Sequence, residues 1–449
     1  MLKLVLGTSG SGKTTLLYAR IRARAEAGKR SILLVPEQFT SSTEARIYRE
    51  LGDALSGMVE SYSFTSLAEH ILAVEGGAAV QTLTDAGRAV LVRRALEELQ
   101  DNVHYYYRHR RSAAFCQMAA ETIDELKSAG LSGQQLQELA RDCGTESAKL
   151  GELALIFQGY ESLLAGTGMD PADRLELAAD RLEAALARDE LPDFLREREV
   201  FIDEFDTFNA PKKRLMGAML AALPAVTVAL CEDGAPMQPG DLELFSGAKQ
   251  VAAQLRQLAR KNGAQVAAPE LLRRDLRHKD APGLAALTEL LETGSCTPPE
   301  SAPELRLFAA ASREEEARCA AAAIRRLMRQ GVRCGKIAVV CRDISLYRAA
   351  VRYEFRMAEI PLYCDEPTTP EFSAPATAVR ALLALLRGAD MTEQLTVLAK
   401  TGLCALTEPE VCALENYAYT WSPNAAAWRA EFTKSPRGFG DAELTEEDT

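Results

Sequence analysis

Close to its start the chain carries Gly7-Thr8-Ser9-Gly10-Ser11-Gly12-Lys13-Thr14, which fits G-x-x-x-x-G-K-[ST] at every defined position. Its flanks are the ones this motif needs. Lys3-Leu4-Val5-Leu6 is a short apolar strand, and Thr15-Leu16-Leu17-Tyr18-Ala19-Arg20-Ile21 has the spacing of an amphipathic helix. Glycines let the backbone curl so that its N–H groups point inward around phosphate oxygens, and the helix N-terminus adds partial positive charge. The candidate phosphate ligands are Gly7, Thr8, Ser9, Gly10, Ser11, Gly12, Lys13, Thr14 and Thr15. Lys13 is placed to reach β- and γ-phosphates, and Thr14 to ligate Mg²⁺. The alternative is a glycine-rich turn with no ligand; strand, loop and helix in succession argue against it.

At 449 residues the chain is too long for one core and divides into roughly two to four domains. No apolar run reaches the length of a membrane span, and the first strand leads straight into the glycine loop, so the N-terminus does not read as a signal peptide. The ten cysteines are scattered, none forms C-x-x-C, and only four histidines accompany them. They read as reduced thiols of a cytoplasmic protein without a zinc site. A net charge of −12 speaks against a wholly basic nucleic-acid binder but leaves room for a local basic groove.

Up to about residue 75 strand and helix alternate. Arg30-Ser31-Ile32-Leu33-Leu34-Val35-Pro36 is a near-continuous apolar run, as expected of a buried parallel strand. Glu37-Gln38-Phe39-Thr40 follows at its C-terminal end, the edge where open α/β sheets bind ligands. Val59-Glu60-Ser61-Tyr62-Ser63-Phe64 is a weaker third strand running into a helix from Thr65. Strand patterns then vanish, and three- and four-residue apolar spacing predicts helices over 83–99, 113–129, 133–141, 148–164 and 173–187. Within them, Tyr105-Tyr106-Tyr107-Arg108-His109-Arg110-Arg111 interleaves aromatics and bases, a composition suited to single-stranded nucleic acid. The alternative is a helix end that packs its tyrosines and exposes its arginines.

Strand character returns in Glu199-Val200-Phe201-Ile202-Asp203-Glu204-Phe205. A buried strand ending in Asp-Glu is what a phosphate loop needs beside it: Asp203 to hold Mg²⁺, Glu204 to polarise an attacking water. The alternative is an ordinary acidic loop after a strand. Ala225-Val226-Thr227-Val228-Ala229-Leu230-Cys231 is a further buried strand, so the first domain resumes after the insertion and runs to about residue 290. The stretch 263–303 is rich in Pro, Ala and charge with helical pieces, and Thr297-Pro298-Pro299-Glu300 reads as a linker. Strands at Leu305-Arg306-Leu307-Phe308-Ala309-Ala310, Lys336-Ile337-Ala338-Val339-Val340-Cys341-Arg342 and Ile360-Pro361-Leu362-Tyr363-Cys364 open a second α/β unit, and after 371 the chain turns helical. The fold class expected is α/β: two RecA-like phosphate-loop units on a superfamily-one helicase plan with helical insertions. The divisions expected are 1–80 with 190–290 for the first unit, 81–189 for its insertion, 300–370 for the second unit and 371–449 for its own, truncated insertion.

Over nearly its whole length the chain resembles the AddB family, the B subunits of bacterial AddAB (RexAB) helicase–nucleases. The residues that carry the resemblance are Val35-Pro36-Glu37-Gln38, Ser63-Phe64, Asp124-Glu125-Leu126-Lys127, and Ile337 to Arg342 with Ile360-Pro361-Leu362-Tyr363-Cys364-Asp365. Most specific are Lys400-Thr401-Gly402-Leu403, Leu414-Glu415-Asn416-Tyr417 and Trp428. The resemblance implies an ATP- and Mg²⁺-binding subunit that works with an AddA-type partner to unwind and resect double-strand breaks, holds single-stranded DNA and recognises the Chi sequence. It implies DNA contacts near Gln38, Phe64 and Phe208, with Phe64 either stacking a base or lying in the core. Arg342 matches a motor's arginine finger, or is a strand-end arginine in an ion pair. The family's nuclease domain and iron–sulfur cluster belong to a C-terminal part beyond residue 449, so the chain looks like a fragment.

The sequence also departs from a working motor of this superfamily. Glu204-Phe205-Asp206-Thr207-Phe208 lacks the glutamine of Asp-Glu-Phe-Gln-Asp, and Cys231-Glu232-Asp233-Gly234-Ala235-Pro236 replaces Gly-Asp-x-x-Gln. No adenine-reading glutamine precedes Gly7, whereas Glu204 is retained. Two other readings stay open: a DNA-binding scaffold with a vestigial phosphate loop, and an unrelated phosphate-loop kinase.

Overall fold

The apolar runs of the first half become the strands of one sheet: β1 (Leu2–Gly7), β2 (Ser31–Leu34), β3 (Val59–Tyr62), β4 (Glu199–Ile202), β5 (Ala225–Cys231) and β6 (Glu270–Leu272). All five pairings are parallel, in the order β3-β2-β4-β5-β1-β6. The computed structural model describes residues 1–76, 82–236, 244–364 and 370–435. Asp365, residue 81 and residues 436–449 of the expected C-terminal insertion lie outside the described residues.

Period-2 alternation divides the strand side chains between two cores. Leu2, Leu4 and Leu6 of β1, Ile32 and Leu34 of β2 and Val200 and Ile202 of β4 face one core; Val5, Leu33 and Phe201 face the other. Helices α1 (Lys13–Glu26) and α2 (Thr40–Ser56) cover the second face through Leu17, Ile21, Ile47 and Leu51. The first face is covered by α3 (Phe64–Glu75) through Phe64, Leu67 and Ile71. A fully buried side chain of this kind stabilises by about 1.5–3 kcal/mol, so a sheet dry on both faces holds its C-terminal edge rigid. Because every strand is parallel, the segments after β1, β2, β4 and β5 gather at that one edge.

The helical stretch between α3 and β4 contains α4 (Asp85–Glu98), α5 (Ala113–Ser128), α6 (Gly133–Arg141), α7 (Ser147–Leu164) and α8 (Pro171–Ala187). Side-chain caps set three of the starts: Thr84, Ser112 and Ser132 each accept the backbone N–H three residues on. The first four helices enclose their own core around Val92, Leu96, Ile123, Phe157 and Tyr160. Helix α8 instead buries Leu175, Ala178 and Leu182 in the core of the sheet's first face, packed on α3 and on a later helix over residues 210–222. A buried polar knot ties it to the others. Lys127 donates to Asp170 and Asp173, each at 2.9 Å, and the Tyr160 hydroxyl donates to Asp170 at 2.6 Å. Arg88 pairs with Asp124 at 3.0 Å. The Asp124-Glu125-Leu126-Lys127 run is thus structural, its Asp124 bonded to α4 and its Lys127 to the start of α8. After the insertion come α9 (Ala210–Ala222) before β5, then α10 (Ser246–Lys261) before β6 and α11 (Pro282–Thr293) after it.

The chain forms two compact units, Met1–Arg306 and Leu307–Thr449. The second contains α12 (Arg313–Arg329), α13 (Ile344–Met357), α14 (Ala374–Leu386), α15 (Met391–Lys400) and α16 (Glu408–Trp421). Its small core joins Ala317, Ala321 and Ile324 of α12 to Ala350, Val351 and Phe355 of α13. Here the strand expectation fails. Among the described residues of this unit there is no strand, and the runs at 305–310, 336–342 and 360–364 are unpaired. A strand exists only by pairing, and these segments have no strand beside them among the described residues: Leu307, Val340 and Tyr363 are 101%, 90% and 88% exposed. The Lys-Thr-Gly-Leu and Leu-Glu-Asn-Tyr motifs do meet, through an ion pair between Lys400 and Glu415. Trp428 donates its indole N–H to Thr392 at 2.9 Å. Among the described residues no helix is long and apolar enough to cross a membrane.

Candidate functional site

Strand β1 ends at Gly7, and the loop turns onto α1 through Gly10 (φ 81°) and Gly12 (φ 91°). Both are left-handed conformations that a side chain would strain. Gly12 caps α1 without a side-chain hydrogen bond, and no acidic residue stands in the first turn. The first N–H groups of the helix therefore have no partner within it and carry its positive end into the loop. The Ser11 hydroxyl is buried and unpartnered. Lys13 folds back over the loop, donating to the carbonyls of Gly7 at 2.7 Å and Thr8 at 2.8 Å. Burial pulls its ammonium below the ordinary lysine range, Arg277 adds to this, and Cys231 and Asp203 oppose it. Uncapped N–H groups, an unpartnered hydroxyl and a lysine bonded only to carbonyls are a donor set that fits phosphate oxygens.

Two strands away, Asp203 continues β4, its N–H donating to the Leu34 carbonyl at 3.1 Å. It is buried, and its carboxylate accepts the Glu204 N–H at 3.0 Å. Glu204 has φ 65°, a left-handed backbone at a non-glycine residue. Such a conformation costs on the order of 1–3 kcal/mol and turns the side chain off the strand direction. Asp203 and Glu204 line one cavity of ≈ 590 Å³ with Thr14, Tyr18, Gln38 and Arg46. The sheet order explains the meeting: β5 lies between β1 and β4, so their C-terminal ends flank one crevice. Burial, then the Asp203 charge, holds the Glu204 carboxyl above the usual carboxylate range, and Arg46 opposes both. Thr14 and Asp203 offer a hydroxyl and a carboxylate to a hard cation. Among the described residues no group of three metal-binding side chains exists, so a Mg²⁺ here would depend on a nucleotide's own oxygens.

Of the proposed DNA contacts, only Gln38 opens into this cavity. Phe64 and Phe208 are 2% and 4% exposed and pack edge-on at 6.0 Å, each also against Phe205. Their ring faces belong to the core, so neither offers a stacking surface to a base. Arg342 is exposed in the second unit, on an unpaired segment.

Two features escape sequence reading. Arg46 lies over the Tyr18 ring at 4.8 Å, on the cavity side of α2. The segment after β6 straps the phosphate loop: Leu276 N–H donates to the Gly10 carbonyl at 3.0 Å, and Arg277 to the Ser9 hydroxyl at 3.2 Å. Asp275 fixes that turn by accepting the N–H groups of Arg277 and His278. Glu232, already marked by the sequence, follows directly on β5. Its N–H donates to the Gly7 carbonyl at 3.2 Å, and one carboxylate oxygen is buried without a partner. The ten cysteines are all free thiols.

A parallel α/β sheet with a glycine loop after one strand and an Asp-Glu pair two strands away defines an α/β phosphate-loop domain. The family model described as ADDB, N-terminal, matches residues 4–288. The chain is 32% identical over 444 residues to the B subunit of the ATP-dependent helicase/deoxyribonuclease of Desulforudis audaxviator, covering 95% of this chain and 37% of that protein. The protein of the same name from Moorella thermoacetica is 31% identical over 443 residues, 95% of this chain and 38% of its own length. That of Clostridium perfringens is 27% identical over 461 residues, 100% and 39%. The chain belongs to the AddB family, and it spans between a third and two fifths of the length of these relatives.

Proposed function

We propose that this chain is the helicase-like part of an AddB-type subunit: it binds ATP with Mg²⁺ at the phosphate loop and holds single-stranded DNA, within a cytoplasmic complex that processes double-strand breaks for recombinational repair. The observation that carries the reading is that Thr14, Asp203 and Glu204 line one cavity beside a glycine loop that leads into a helix N-terminus without a side-chain cap. Gly7 to Thr15 would cradle the phosphates, Thr14 and Asp203 would hold the cation, and Glu204 would orient water. The relatives are named as subunits of an ATP-dependent helicase/deoxyribonuclease, which supports an AddA-type partner, DNA as substrate and, by resemblance, a part in Chi recognition. On this reading the second unit is the opening half of a second RecA-like domain, with Arg342 as its arginine finger and 371–449 its insertion. Residues 81–189 are the insertion of the first domain, made of 1–80 and 190–290.

Titration of the chain with a fluorescent ATP analogue and Mg²⁺ tests the site. Saturable binding is expected, weakened roughly ten- to a hundredfold by Lys13→Ala, since a hydrogen bond to a charged group contributes about 1.5–3 kcal/mol. No binding by the unmodified chain would remove ATP from the reading. Glu232, in place of the sensing strand end, favours a second reading in which the site binds nucleotide without turnover, or is vestigial on a DNA-binding scaffold.

A further inference from the structure

The aromatic and basic turn at 104–111 lies on the helical insertion and has no part in the phosphate-loop site. The Glu152 carboxylate accepts the backbone N–H groups of His104, Tyr105 and Tyr106 at 2.8–3.1 Å, which locks the turn from beneath. Tyr106 stacks on Phe115, centroids 5.3 Å apart, and so anchors the turn to α5. Tyr105 is then held outward, 58% exposed and edge-on to Tyr106. Arg110 stacks over the Tyr107 ring at 3.7 Å.

Charge distribution points the same way. In a chain of net charge −12, no acidic residue occurs between Asp101 and Glu121. Of the carboxylates near this turn, Glu152 is consumed by backbone donors and Glu146 pairs with Lys149 at 3.7 Å. Arg108 and Arg111 are exposed, and neither has an ion-pair partner among the described residues. The turn also runs directly into α5, whose first turn contains no acid, so a helix N-terminus adds its field to the arginines.

We propose that this turn is a single-stranded DNA anchor, in which Tyr105 stacks one base and Arg108 and Arg111 hold the adjoining phosphates. A rigidly presented ring flanked by unpaired cations is the arrangement that binds unpaired bases without reading sequence. A duplex keeps its bases inside and cannot use Tyr105. The proposal extends the DNA-holding reading above and rests on it for the choice of DNA over RNA, but it needs neither the phosphate loop nor Gln38.

Fluorescence anisotropy of the whole chain with a labelled oligothymidylate tests it. Tyr105→Ala is expected to weaken binding roughly tenfold and Tyr105→Phe to leave it unchanged. Arg108→Gln with Arg111→Gln should reduce the log–log salt slope by about 1.4, at roughly 0.7 per phosphate contact on a single strand. ATP-analogue affinity should be untouched by all three, which separates failure here from failure at the nucleotide site. The positions are exposed, and unchanged circular dichroism confirms folding. Photo-crosslinking with an iododeoxyuridine oligonucleotide should label Tyr105. Equal affinity in Tyr105→Ala, equally tight duplex binding lost in the same variants, crosslinks only elsewhere, or no binding by the unmodified chain would each overturn the proposal.

Discussion

Lys127→Met is expected to destabilise the helical insertion by about 3–5 kcal/mol, the usual cost of leaving a buried carboxylate without its cation. Lys127 and Asp170 have side chains only 8% and 2% exposed, and Asp170 also accepts the Tyr160 hydroxyl. Without the ammonium, the buried Asp170 carboxyl loses its ion-pair partner and keeps the Tyr160 hydroxyl as a hydrogen-bond donor. Removing charge from both sides should cost less. Lys127→Met combined with Asp170→Asn and Asp173→Asn is therefore predicted to recover part of the loss, since an asparagine still accepts from Tyr160. Two units make a single unfolding free energy ill-defined, so hydrogen exchange is the measurement of choice. Lost protection should appear in α5, α7 and α8, the helices the knot joins, before it appears in β1 or β5. Uniform loss across the sheet would contradict a local role.

The same knot sets a pH dependence. The carboxylates hold the Lys127 ammonium above the ordinary lysine range despite the opposing effect of burial, and burial raises Tyr160 well above the usual phenol range. In both, the folded state keeps its proton to higher pH than the unfolded state. Their contribution is thus complete below about pH 10, where unfolded tyrosine and lysine begin to titrate, and declines as pH rises further. Protection of α5 and α7 should fall on that alkaline side, and Tyr160→Phe should blunt the fall.

Much of this architecture was legible because it rests on local periodicity. The strand at 225–231 and the helix at 133–141 fall where apolar spacing places them, since each buries a face of fixed period. Strand β6 was not legible. Three residues in a stretch rich in proline, alanine and charge carry too little pattern, and only pairing with β1 makes them a strand. The strap on the phosphate loop is invisible for a related reason: Arg277 and Ser9 are 268 positions apart. Phe64 shows where residue type misleads. An aromatic at the C-terminal end of a strand has one sequence signature whether it faces a ligand or starts a core helix, and the capping box of Ser63 and Ser66 turned it inward. The runs at 305–310 and 336–342 show the converse, strand composition without a partner to pair with. At the candidate site, sequence identifies Lys13, Asp203 and Glu204 as chemical types. The sheet order brings Thr14 and the two carboxylates to one cavity, and the left-handed turn aims Glu204.

Glu204→Gln is the substitution that separates a hydrolytic subunit from a scaffold. If Glu204 takes the proton of an attacking water, its loss should lower DNA-stimulated phosphate release by about 10²–10⁴-fold, the contribution of a positioned general base. ATP affinity should change little, because the side chain lies among the cavity's carboxylates and not in the glycine loop. The pH profile gives an independent check. Burial and the Asp203 charge raise the Glu204 carboxyl, so the acidic limb of turnover should lie above the ordinary glutamate range. The base is ionised only above its own pKa, and activity is lost as pH falls through it. Arg46→Ala removes the one opposing charge and should move that limb further upward without abolishing nucleotide binding. Turnover that survives Glu204→Gln would assign the release to another residue or to a contaminating enzyme. Binding without turnover in the unmodified chain would decide for the reading in which the site holds nucleotide without hydrolysing it.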